Sequence, residues 1–265
     1  MFKHIIIGQY LPGNSFLHRM DARAKLIAVL LMIMVIFLAD TWRGYGAVTV
    51  GTVGVWMISG VPLRYILKGM YPILILIVGT FLLHAFLTQE GEVIATVGAF
   101  SVYSGGIEQG LFIGLRLFFL VLVTSLLTLT TSPIDLTDGL EQMLQPLKRF
   151  GVPAHEVALM MSIAIRFIPT LFQEAEKIIK AQTARGAKFN SGSMKQRTQA
   201  MISLLVPLFI RAFKRAEDLA LAMEARGYNG GEKRTKLRAL TWRRKDTIAC
   251  LIVAVSAVLL FFFQR

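Results

Sequence analysis

At 265 residues, 55% of them hydrophobic and only 17% charged, with a mean hydropathy of +0.60, the chain carries too little charge for a soluble globular domain and is expected in a lipid bilayer. Its net charge of +13 invites a nucleic-acid reading. However, residues 133–245 hold 20 of the 29 Lys and Arg together with 10 of the 16 acids, the mixture of amphipathic helix faces, so nucleic acid is not expected as a partner. The single cysteine, Cys250, excludes an intrachain disulfide, and the four histidines are scattered with no CxxC pair, so neither a metal nor a cofactor is expected.

Residues 1–25 are mixed and turn-rich, with a turn expected at Pro12-Gly13-Asn14-Ser15. The apolar Ile5-Ile6-Ile7 is too short for a secretory signal. Leu26 to Ala39 is a short uncharged run, extended toward the interfaces by Lys25 and Trp42. Gly44 to Leu63 and Gly69 to Gln89 are the next apolar runs, and Leu111 to Thr131 is apolar apart from Arg116. Thr247 to Gln264 is the last. These runs predict about five transmembrane helices in an all-α polytopic membrane protein, the first pair being the least certain to cross fully. Lys3, Arg19, Arg23 and Lys25 place the N-terminus inside, and Arg64 with Lys68 place the second short loop there. Residues 90–108, with three Glu and no Lys or Arg, then fall outside, and 133–245 falls on the cytoplasmic side.

The chain accordingly divides into an N-terminal transmembrane region (1–132), a cytoplasmic region of long helices (133–245) and a C-terminal transmembrane helix (246–265). The middle region opens with a helix at Pro133, for which Ser132, Asp135 and Thr137 are capping candidates, and that helix ends at Gly151-Val152-Pro153. Two longer helices follow, from about Ala154 to Arg185 and from about Lys195 to Arg226. Each begins apolar and becomes amphipathic beyond Pro169 or Pro207, where a kink is expected. Neither apolar stretch is long enough by itself to span, which suits helices travelling along the cytoplasmic face.

Each long helix closes on the same triplet, Ala184-Arg185-Gly186 and Ala225-Arg226-Gly227, 41 residues apart. The same shift aligns Phe172 with Phe213, Ala175-Glu176 with Ala216-Glu217, and Ala181 with Ala222. Glycine-stopped helix ends are common, and the plain reading is two good caps. The matched pair raises the other reading, a docking motif. Arginine carries a rigid five-donor fork, and the glycine after it lets the chain turn away. Two such ends suit a partner with two similar grooves.

Other patterns carry less. Gly8-x4-Gly13-Asn14-Ser15 imitates a phosphate-binding loop, but Asn14 stands where the lysine belongs and Pro12 removes a backbone donor. His155-Glu156 starts a zinc-protease pattern that fails at Leu159. Arg116, within an apolar run, reads as a structural pairing before a transport site. The methionines at 160, 161, 194, 201 and 223 are either filler or an adaptable contact surface.

Three blocks together resemble the transmembrane (T) component of energy-coupling factor (ECF) transporters. They are Gly8-Gln9-Tyr10-Leu11-Pro12-Gly13-Asn14-Ser15-x-Leu17-His18-x-x-Asp21-x-Arg23-x-Lys25, then Thr130-Thr131-Ser132-Pro133-x-Asp135-Leu136-Thr137, and Pro207 to Gly227 with its terminal triplet. Asn14 stands where that family often has Asp and Ala22 where it often has Pro, departures that touch local turn geometry. The resemblance implies a non-catalytic subunit of an ABC-type importer in a prokaryotic cell membrane. It would bridge two cytoplasmic ABC-type ATPases to a separate substrate-binding membrane subunit (S component) that takes a vitamin or other micronutrient. It further implies that Arg185 and Arg226, with Ala184, Gly186, Ala225 and Gly227, dock in grooves on the ATPase pair. The rival reading is a self-sufficient secondary permease, which would need more intramembrane polar groups than Arg116 and His84 supply.

Overall fold

A computed structural model describes residues 10–97, 100–150, 153–228 and 240–263. In chain order the elements are α1 (Phe16–Arg19), α2 (Ala22–Leu38), α3 (Trp42–Ser59), α4 (Leu63–Leu87), β1 (Val93–Val97), β2 (Phe100–Tyr103), α5 (Ser104–Thr130), α6 (Pro133–Leu144), a 3-10 helix (Gln145–Phe150), α7 (Ala154–Ala184), α8 (Met194–Ala225) and α9 (Arg244–Phe263). The chain is an all-α membrane protein, with one short hairpin among the described residues. It divides into two units, one formed by Gly8–Gly139 with Leu240–Arg265 and the other containing Leu140–Ala239.

In the first unit α2, α3, α4, α5 and α9 occupy the five apolar runs of the sequence. Large apolar side chains face outward, such as Tyr71, Ile75 and Leu87 on α4, which would be costly in water and is ordinary where the solvent is lipid. The interior is one cluster of Met32, Val35, Ile36, Tyr45, Val48 and Phe119, and a second around Ile66, Met70 and Leu126. The α4–α5 pair is fastened by glycines at a four-residue spacing. A Cβ added at Gly106 would lie 2.7 Å from the His84 carbonyl oxygen, at Gly110 3.1 Å from that of Phe81, and at Gly114 3.3 Å from Ile77. Small residues let helix backbones approach closely where lipid supplies no hydrophobic drive.

Among the described residues, three stretches are long and apolar enough to cross a membrane: Gly69–Leu87, Ser104–Thr130 and His155–Ala184. The last corrects an expectation. The apolar start of α7 is expected to be too short to span, whereas the helix as a whole, 31 residues continuous through Pro169, is long and apolar enough to do so. Helix α2, at 17 residues, is about 26 Å long and somewhat short of a hydrocarbon core. Residues 90–108 also differ from a plain acidic loop. The β-branched run Val93–Val97 pairs antiparallel with Phe100–Tyr103, and α5 begins already at Ser104.

The block Asp21-x-Arg23-x-Lys25 ties distant elements together at one end of this unit. Asp21 caps α2, accepting from the Arg23 amide at 2.9 Å, and Arg23 returns two guanidinium bonds of 3.1 and 2.9 Å to the same carboxylate. Burial would raise the Asp21 carboxyl, but these bonds, with the charges of Arg23 and Lys25, outweigh it and hold it below its ordinary value. Stability from this group is therefore present above the ordinary carboxylate range and lost as pH falls through the depressed value. The buried Lys25 Nζ donates to the Thr130 carbonyl at 2.8 Å and to Thr131 Oγ1 at 3.2 Å, where α5 ends. The buried Asp246 accepts from the amides of Asp21 at 3.4 Å and Arg243 at 2.8 Å, fixing the start of α9. Lys25→Met keeps the volume but strands two acceptors. It is expected to cost about 2 kcal/mol, read as a lower apparent unfolding midpoint in detergent with membrane insertion unchanged.

The preceding turn is held by His18. Its Nε2–H donates to the Leu11 carbonyl at 2.9 Å, which leaves Nδ1 to accept from the Ser15 hydroxyl at 2.6 Å. Gly13 lies against the ring, where an added Cβ would stand 2.7 Å from His18 Cε1. The glycine of the phosphate-loop look-alike is thus explained by packing. Gly8 and Gln9 lie outside the described residues. Arg116 is paired as expected, with Asp40 at 2.9 Å and the Ala39 carbonyl at 3.2 Å.

Candidate functional site

The second unit is dominated by α7 and α8. Helix α8 starts on a capping box, Ser193 accepting from the Gln196 amide while the Gln196 side chain accepts from the Ser193 amide. The two helices run in opposite directions, since Glu174 meets Arg215 while Gln182, further along α7, meets Ser203, further back on α8. Glu174 and Arg215 are themselves related by the 41-residue shift, so the repeat crosses itself at equivalent positions. Their ion pair measures 2.9 Å, and the Arg215 guanidinium also stands over the Phe167 ring at 5.5 Å.

Arg185 lies as far beyond Glu174 as Arg226 lies beyond Arg215. Eleven residues of helix span ~16 Å, so the triplets stand at opposite ends of the pair, up to ~33 Å apart along it.

Both ends are built alike. The Gly186 amide donates to the Thr183 carbonyl at 2.9 Å and the Ala187 amide to that of Gln182 at 2.9 Å. At the other end Gly227 donates to Glu224 at 2.8 Å and Tyr228 to Met223 at 3.0 Å. Gly186 and Gly227 adopt φ of 91° and 72°, the left-handed region that this paired-bond helix stop requires. Each arginine occupies the C-cap, with φ/ψ of −87°/6° and −90°/10°. All six residues, Ala184, Arg185, Gly186, Ala225, Arg226 and Gly227, are exposed. Neither guanidinium has a side-chain partner among the described residues. The plain reading of two good caps is therefore correct as local structure, and it presents two cations in the same backbone setting with their donors unspent.

No Cβ contact lies within 4 Å at either glycine, so a side chain there meets only backbone strain. Gly227→Ala is expected to cost ~1–2 kcal/mol at the cap and to speed amide exchange at residues 227 and 228 about tenfold or more. Gly227→Asn, which tolerates the left-handed region, should fall between.

Apolar surface is exposed toward the start of α7 and from the start to beyond the middle of α8. Met160 and Met161 on α7, and Met201, Val206, Phe209 and Phe213 on α8, all lie on the outside. The methionines at 160, 161, 194 and 201 are thus surface residues, not filler. His155 Nδ1 lies 3.0 Å from Glu141 Oε1, and no group of three or more potential ligands that could hold a metal occurs among the described residues.

The sequence reading missed Glu174 and Arg215. Their signal was present, since the shift that aligns the triplets also pairs these two positions.

A family profile described as "Cobalt transport protein" matches residues 13–237. Three relatives, each described as "Energy-coupling factor transporter transmembrane protein EcfT", are similar along essentially their whole length. That of Bacillus subtilis (strain 168) is 53% identical over 264 residues, 100% of both chains. That of Brevibacillus brevis is 51% identical over 260 residues, 98% of each, and that of Listeria innocua 49% identical over 264 residues, 100% of each. With the membrane-spanning helices and the N-terminal block in place, the chain belongs to the family of energy-coupling factor transporter transmembrane proteins, a membrane component of a transporter.

Proposed function

We propose that this chain couples two cytoplasmic ABC-type ATPases to a separate S component that binds a vitamin or other micronutrient. The observation that carries the proposal is the pair of like-built, arginine-tipped, exposed helix ends at opposite ends of one antiparallel helix pair. Each arginine is positioned to satisfy carbonyls or carboxylates in a groove of one ATPase. Closure of the ATPases on ATP moves the two ends, and α7 and α8 carry that motion as rigid levers. The apolar faces at Met160, Met161, Phe209 and Phe213 grip the S component, which tilts in the membrane to expose its site. ATP is hydrolysed by the partner chains. In this reading the protein sits in a prokaryotic cell membrane with its N-terminus and residues 133–245 cytoplasmic, matching the basic loops.

The test is to purify the tagged chain from its own membranes and identify what stays bound. Co-purification of two ATPases and a small membrane protein supports the proposal, and that membrane protein reports the cargo. Recovery of this chain alone, with labelled substrate still crossing reconstituted vesicles, would make it a permease and reduce the triplets to caps.

A further inference from the structure

Within the first unit, α2, α3, α5 and α9 line a cleft of about 340 Å³, with Phe16 and Leu17 of α1 also in its wall. Its wall is apolar except for Lys25, Thr52, Thr130 and Lys245. Three of these four are already engaged. Thr52 Oγ1 donates to the Val48 carbonyl at 2.8 Å, Thr130 Oγ1 to that of Leu126 at 2.7 Å, and Lys25 Nζ to Thr130 and Thr131. Lys245 alone is exposed and, among the described residues, has neither a hydrogen bond nor an ion pair.

A cleft whose one spare polar group is the exposed Lys245 has too few to hold a sugar, a nucleotide or a vitamin. It does fit an amphiphile with a long apolar chain and one anionic head at the Lys245 end. Charge there favours an anion, because Arg243, Arg244 and Lys245 are consecutive exposed cations while the neighbouring Asp246 is buried and occupied by two backbone amides. We infer that this cleft is a binding site for an anionic phospholipid of the surrounding bilayer, its acyl chain lying between α3 and α9 and its phosphate against Lys245. The site is independent of the docking role proposed above and would survive that role's failure.

The test uses native mass spectrometry of the transporter complex purified in mild detergent, titrated with phosphatidylglycerol or phosphatidylcholine of identical acyl chains. The expected result is one phosphatidylglycerol retained per chain in preference to phosphatidylcholine. Lys245→Ala, an exposed change that leaves packing intact, weakens phosphatidylglycerol about fivefold and leaves phosphatidylcholine unchanged. Ala249→Phe, which fills the cleft, lowers retention of both. Equal binding of the two lipids to the wild type, or phosphatidylglycerol affinity unaffected by Lys245→Ala, overturns the inference. So does an Ala249→Phe complex that keeps its lipid and loses a membrane protein subunit, because the cleft is then a protein interface.

Discussion

Reversing both arginine tips, Arg185→Glu with Arg226→Glu, is expected to abolish ATP-driven uptake while leaving the protein folded and inserted. The side chains are exposed and, among the described residues, make no ion pair or side-chain hydrogen bond, so the change breaks no polar contact and buries no charge. A carboxylate at a helix C-cap opposes the helix dipole, a cost of only ~0.3–1 kcal/mol per end. In a partner's groove the balance differs. Truncating an interface arginine that acts as an anchor costs ~2 kcal/mol or more, a factor of about 30 in affinity. Reversing its charge adds repulsion from the same carbonyls or carboxylates that had accepted its bonds. Lysine replacements keep the charge and lose the planar fork, so they should retain part of the coupling. Co-purification of the ATPases, uptake into vesicles and the unfolding midpoint separate the two outcomes. A double variant that still co-purifies with ATPases and still transports would leave the triplets with no role beyond capping.

How much of this was legible in the sequence depended on the range of the interactions. The apolar runs and the two long helices follow from local composition, and their observed ends lie close to those expected because glycine after arginine marks a helix stop in a few residues. The start of α8 had a local signal too, Ser193 followed three positions later by Gln196. Within the hairpin, Val93–Val97 is rich in β-branched residues, a local strand signal that was passed over because the charge of residues 90–108 was used only to place them outside. Pro169 read as a kink within one helix, and α7 is continuous through it, since a missing backbone donor need not end a helix whose neighbouring bonds are kept. Interactions across the fold left no periodic trace. Nothing near Arg116 names Asp40, 76 positions away, and nothing near Lys25 names Thr130, 105 positions away. The triplets were visible, but that they point to opposite ends of one pair required knowing that α7 and α8 are antiparallel.

That antiparallel crossing makes Arg215→Glu the second consequential substitution. Glu174 is largely buried and its Oε2 has no hydrogen-bond partner, so its charge relies on the 2.9 Å bond from Arg215 to Oε1. Placing a second carboxylate opposite it breaks the pair and adds like-charge repulsion, at a cost of about 3 kcal/mol. Because the crossing lies midway between Arg185 and Arg226, a change of packing there is transmitted over ~16 Å of helix to each tip. The tips then no longer match two grooves at a fixed separation, although neither arginine has been touched. Uptake is expected to fall at least tenfold, while ATP hydrolysis by the assembled complex falls less, so that transport per ATP drops. Spin labels at the equivalent exposed positions Thr183 and Glu224, in a Cys250→Ser background, should report a shifted or broadened distance. Adding Glu174→Arg restores an ion pair with its charges exchanged. If the crossing sets the spacing of the tips, this double variant recovers both the wild-type distance and most of the uptake. Recovery of the distance without uptake would mean that Arg215 touches a partner directly. An unchanged distance in the single variant would mean that the spacing is set by the apolar packing of α7 on α8, with the charges incidental.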